Sequence, residues 1–228
     1  MTTVRPNAAW VVTGLIAYVA TASISALPVM TTIARATELT DQGLSFSDEK
    51  GGFRVVSVTG TGTRDDPITV TEDVTGPGDP VLIIRGFGAE FGERAGSFHA
   101  TGFAMKKIII NHTGKTWRSY RVELREVETR QSNYGDGLSF GQNDAGAEAY
   151  AAGSPFPDVL RTYEPEDSVT FSGGLVPPGA TAILSFVVTD MSPVHQFYLF
   201  QQPMEPIVER NTPAPKTRLA RMMKAVSR

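Results

Sequence analysis

An all-β fold is predicted, an antiparallel β-sandwich of jelly-roll or immunoglobulin-like type with about eight to ten strands. Three features predict it. Short β-branched or alternating runs recur between Phe53 and Gln202. Glycine and proline are frequent, 22 and 15 of the 228 residues, and glycine–proline turns separate many of those runs. Residues 37–203 carry no sustained helical periodicity.

That length suits one domain with a core of its own, needing no staples. Hydrophobic residues at 41% and charged residues at 20% describe a folded chain. A net charge of −3 supplies no basic field for nucleic acid. There is no cysteine, which removes disulfides, thiolate metal sites, cysteine nucleophiles, iron–sulfur clusters and a lipid-modified N-terminal cysteine. The three histidines, His99, His112 and His195, are too scattered to mark a metal site.

Residues 1–36 read as a hydrophobic N-terminal helix. Ala8 to Met30 contains no charge and follows Arg5. Two readings stand. Ala8–Val19 is the apolar core of a secretory signal, cleaved after Ala20-Thr21-Ala22 or Ala34-Arg35-Ala36. Alternatively, 23 uncharged residues span a bilayer as an uncleaved anchor. Both put the remainder outside the cytoplasm: periplasmic, secreted or at the cell surface of a bacterium.

Residues 37–52 are polar and turn-rich. Phe53–Thr59 is a strand between glycine turns, Pro67–Asp73 alternates, and Val81–Arg85 is an apolar run suited to burial on both faces. Residues 86–103 carry repeated glycine and phenylalanine and read as a long loop whose rings plug the core ends. An exposed aromatic platform is the alternative.

Ala104–Glu128 reads as the central hairpin. Thr113-Gly114 supplies its tight turn. Ile108 and Ile110 share one face, with Lys107 and Ile109 on the other. Tyr120, Val122 and Leu124 alternate with charged residues. Together with Ile108 and Ile110 they are expected to nucleate the core. A parity shift at Glu126-Val127 suggests a bulge. Residues 131–157 form a small-residue loop, in which Gly137-Leu138-Ser139-Phe140 echoes Gly43-Leu44-Ser45-Phe46. Ser168–Ser172, Thr181–Thr189 and Gln196–Gln202 complete the strands, and Pro203 closes the domain.

Residues 204–228 are a proline-broken linker and a basic tail. Leu219, Met222, Met223 and Val226 fall on one helical face, with basic residues opposite. Such a segment can lie on an anionic membrane or dock on a partner, and its bland counterpart is a solvated tail.

No catalytic set is recognisable: no nucleophile elbow and no phosphate loop. The chain therefore reads as non-enzymatic. Calcium is the one cofactor with a candidate site, through Asp136, Asn143 and Asp144, with Asp48 and Glu49 in the echoing loop. A solvated acidic loop is the alternative. Trp117 and Tyr134 are candidate stacking surfaces for a carbohydrate or other polymer. Asn111-His112-Thr113 is formally a glycosylation acceptor.

The run Asn111-His112-Thr113-Gly114-Lys115-Thr116-Trp117, then Tyr120 and Val122-Glu123-Leu124, resembles a strand pair of uncharacterised exported bacterial proteins of the PEP-CTERM type. Gly135–Phe140, Phe171–Gly174 with Pro177-Pro178-Gly179, and Phe197–Pro203 are similar in order. The resemblance covers residues 104–203. The C-terminal sorting signal is missing, and a basic tail replaces the terminal apolar helix. The resemblance implies export, a β-sandwich and no established enzymatic role. The expected function is thus an extracytoplasmic structural or protein-interaction role, including that of an accessory subunit of a membrane or cell-surface assembly. The alternative is a carbohydrate- or polymer-binding module.

Overall fold

The computed structural model describes residues 37–163 and 165–205. The N-terminal segment 1–36 and the basic tail, with Leu219, Met222, Met223 and Val226, lie outside the described residues. Among the described residues no helix is long and apolar enough to cross a membrane.

The domain is all-β and sandwich-like, with thirteen strands in two sheets among the described residues. One sheet has the order β1 (Glu38–Asp41), β2 (Leu44–Ser47), β5 (Val81–Arg85), β13 (Gln196–Met204), β7 (Trp117–Arg125), β11 (Ser168–Val176) and β10 (Asp158–Thr162). The other has the order β3 (Phe53–Thr59), β4 (Ile68–Val74), β6 (Thr101–Asn111), β12 (Thr181–Asp190) and β8 (Leu138–Ser139), with β9 (Ala152–Ser154) also on β12. Neighbours are antiparallel except β4 and β6, which run parallel. A short helix, α1 (Ala145–Tyr150), lies in what the sequence predicts as loop. Its N-terminus is made by Asp144, whose carboxylate accepts from Gly146 N and Ala147 N.

The central hairpin expected from the sequence is not a hairpin. β6 and β7 belong to different sheets. Residues 112–116 carry the chain across the core instead of turning it back beside itself. Asn111 holds this arch. Its Oδ1 accepts from Thr113 N (3.0 Å) and Thr113 Oγ1 (2.8 Å), and its Nδ2 donates to Lys115 O (2.8 Å) and Val176 O (2.9 Å). The side chain is fully buried, so the Asn-His-Thr acceptor sequence is closed to modification. Gly114 has φ +66°, as the turn reading required.

The core face of β6 is also the reverse of the expectation. Phe103, Met105, Lys107 and Ile109 are buried, whereas Ile108 and Ile110 are half-exposed. Tyr120, Val122 and Leu124 are buried as expected. The irregularity predicted at Glu126-Val127 is the end of β7; the register shift falls between Ser172 and Val176, opposite Trp117–Ser119. Both copies of the Gly-Leu-Ser-Phe echo place Leu and Phe inside, Leu44 and Phe46 on one sheet, Leu138 and Phe140 beside the other.

Lys107 packs against Glu72 of β4, and both side chains are 0% exposed. Burial pulls the Lys107 amine below its usual range, and Glu72 opposes that pull. Across the core, Tyr120 Oη donates to Gln201 Oε1 at 3.0 Å. Removing one member of a buried pair strands the other charge, at a cost of roughly 3–5 kcal/mol. Lys107→Met should therefore lower the unfolding free energy by about that amount. Lys107→Met with Glu72→Leu should recover most of it in denaturant titration. Equal loss in the single and double variants would show that the pair itself stabilises the core.

Candidate functional site

The two glycine-rich loops singled out in the sequence meet at one end of the domain. β6 begins and β12 ends there, since Thr101 pairs with Asp190, and β8 joins through Leu138. The loops 86–100, 126–137 and 191–195 therefore converge. Three carboxylates shape them. Glu93 accepts from Ala95 N, Gly96 N and Ser97 Oγ. Asp136 accepts from Ser132 Oγ (2.7 Å), Asn133 N (3.1 Å) and Leu138 N (3.2 Å). Asp190, buried, accepts from Ser192 N (2.7 Å) and Val194 N (3.3 Å). Each carboxylate collects orphan donors of its own loop, which a buried backbone requires.

Between these loops lies a cleft of about 220 Å³, lined by His99, Tyr134, Ser139, Gln142, Asn143 and Met191, with Gly137 and Ser192. Tyr134 is 72% exposed. Asn143 stands at φ +61°, a conformation asparagine tolerates, and is exposed at the rim. The side chains of Tyr134, Gln142, Asn143 and Ser192 are uncommitted to other described residues. Nδ1 of His99 is buried without a hydrogen-bond partner, and burial holds its imidazole below the usual pKa. The lining carries neither carboxylate nor lysine nor arginine.

The candidates from sequence separate clearly. Tyr134 and Asn143 share the cleft. Trp117 does not: it is 1% exposed and packs on Tyr120 with ring centroids 5.5 Å apart. It touches a cavity of about 370 Å³ at the opposite end of the domain, yet it offers no face for stacking. The phenylalanines of 86–103 divide likewise. Phe87, Phe91 and Phe103 form a buried cluster with Phe197, whereas Phe98 is 92% exposed. Asp136 accepts from Ser132 Oγ and from backbone N–H groups, and Asp144 Oδ1 accepts from Gly146 N and Ala147 N while its Oδ2 faces Arg64 at 3.6 Å. Asp48 does the same for Thr37 N and Val55 N, while Glu49 pairs with Arg85 at 3.0 Å. Among the described residues, no three His, Asp or Glu side chains converge as a metal site. His99, Gln142 and Ser192 were missed by sequence reasoning, because nothing local marks them.

No family model matches this chain, and neither a curated protein nor a solved structure does.

Desolvation raises the Asp190 carboxyl from 3.8 to about 6, with Glu126 and Asp136 adding to the rise and the two backbone donors opposing it. A raised folded-state pKa contributes stability that is complete below 3.8 and is lost as pH rises through about 6. The melting temperature should therefore fall between pH 4 and 7, and Asp190→Asn should flatten that slope. An unchanged slope in the variant would move the titration to another group.

Proposed function

We propose that the protein is a non-catalytic, extracytoplasmic binding module, exported or anchored by residues 8–30, that holds a neutral carbohydrate of a surface polymer in the loop-end cleft. Tyr134 carries this reading. It is a largely exposed ring beside side chains that are free to hydrogen-bond. A ring of this kind covers the apolar face of a sugar, while amide and hydroxyl groups meet its hydroxyls. The uncharged lining favours a neutral ligand over phosphate or nucleic acid. Met191 extends the apolar rim. The resemblance to exported proteins and the charge-free segment Ala8–Met30 support the compartment.

Of the two sandwich types, we infer the jelly roll. The chain changes sheets at successive connections β5 to β6, β6 to β7, β11 to β12 and β12 to β13, and one sheet runs β5-β13-β7-β11. Lectin domains use that architecture, though the fold alone assigns no function. A structural role in a surface assembly is the second reading, favoured by the open edge at β10.

Binding of the full chain to a panel of insoluble and soluble polysaccharides tests the proposal. At least one neutral polymer should be retained, and Tyr134→Ala should weaken retention about tenfold, worth about 1.4 kcal/mol. Trp117→Phe, a change inside the core, should leave affinity unaltered in folded protein. Retention that is indifferent to Tyr134 would remove the cleft from the function.

A further inference from the structure

The backbone around the loop-end cleft is tied, so its uncommitted side chains keep fixed places. Gln142 N donates to Ser139 Oγ (3.0 Å) and Asp144 N donates to Gly141 O (3.1 Å). These bonds hold the consecutive amides of Gln142 and Asn143 at the lining. On another loop, Met191 N donates to Gly137 O (3.0 Å). A Cβ at residue 137 would stand 2.9 Å from Ser192 N and 3.2 Å from Met191 N, at φ +78°. Glycine there is what lets Met191 and Ser192 close on the cleft. Met191 is 56% exposed.

His99 adds a donor. Its Nδ1 is buried without a partner. An orphaned buried N–H is costlier than a bare ring nitrogen, so the hydrogen is assigned to Nε2. Nε2 makes no hydrogen bond to the described residues, and the ring lines the cleft.

The lining thus offers two amides, an imidazole N–H, a hydroxyl, a thioether and an exposed phenol ring, with no charge among them. A plain hexose would use the ring and the polar groups and leave the Met191 thioether without a counterpart. An acetamido group uses them all. A side-chain amide pairs with it in both directions, N–H to C=O, and the imidazole N–H meets its carbonyl oxygen. The pliable thioether packs its methyl.

We propose that the sugar bound in this cleft is a 2-acetamido sugar, as a single ring of a polymer. The proposal rests on the assignment of a neutral carbohydrate to the cleft and names its class. At about 220 Å³ the cleft is smaller than the roughly 300–1,000 Å³ of drug-sized sites, which suits one ring. The deacetylated, ammonium-bearing sugar is excluded, because Glu93, Asp136 and Asp190 give their oxygens to their own loops and none lines the cleft.

Protein-observed NMR titration of the full chain tests this. The probes are methyl glycosides that share one pyranose ring and carry hydroxyl, acetamido or ammonium at position 2, in gluco and galacto configuration. The acetamido form should bind about tenfold tighter than its hydroxyl counterpart, and the ammonium form least. Gln142→Ala combined with Asn143→Gly, a glycine suited to the positive φ at that position, should bring the acetamido form down to the hydroxyl form. A dispersed spectrum shows that the variant is folded. Equal or tighter binding of the hydroxyl or ammonium form would overturn the acetamido assignment and leave the cleft as a sugar site. A preference that survives the double variant would overturn it too. So would binding of none of the glycosides while another neutral polysaccharide is retained through Tyr134. Loss of both kinds of binding would remove the sugar reading of the cleft together with the acetamido group.

Discussion

Lys107 and Glu72 meet in the middle of the sandwich, out of reach of water. Two charges there are tolerated only in contact. That requirement constrains β4 and β6 to one another. The two strands run parallel, with Val70 opposite Lys107 and Glu72 opposite Ile109. A slip of one residue would turn every side chain of one strand over, presenting Ile108 and Ile110 to the core and Lys107 to water. The ion pair thus selects a register that apolar burial alone would not. The second polar pair, Tyr120 and Gln201, comes from the facing sheet. Polar contacts of this kind add little stability against an apolar filling, and their role in specifying one arrangement is the better account of their presence.

With the register set, the loop end follows. Thr101 and Leu138 both pair with Asp190, so the two long loops must leave the domain side by side. Three carboxylates then tie the loops down by accepting backbone donors. Rigid loops on a packed sheet can hold groups such as Gln142, Asn143 and Ser192 uncommitted, because nothing else in the fold needs them. Beside this end the sheets differ in width, and β10 borders a pocket lined in part by α1.

The strands were legible in the sequence wherever the chain is long, β-branched and bounded by glycine. β3, β4, β5, β12 and β13 stand within two residues of their expected ends. β1, β2 and β10 were not legible, since Glu38–Asp41 and Asp158–Thr162 carry polar or mixed residues at sheet edges. α1 escaped because six residues, four of them alanine or glycine, are too few to show a period. The hairpin was misread for a deeper reason. Alternation and a Thr-Gly turn are the same whether two strands bond side by side or face each other across a core. Of the candidate site, Tyr134 and Asn143 were visible as unusual residues in a glycine-rich loop. His99 and Ser192 were invisible, being ordinary residues in separate loops that meet only in space.

By itself the sequence determined the all-β character, the positions of the main strands, the absence of cysteine and the two long glycine-rich loops. Those follow from local preferences of backbone and side chain, which neighbouring residues express unaided. The tertiary structure alone decided that β6 and β7 face each other, that Lys107 turns inward while Ile108 and Ile110 do not, and that Trp117 is core while Tyr134 is surface. Each of those choices depends on which distant strand supplies the partner, and period-two alternation gives both faces of a strand without saying which one is covered.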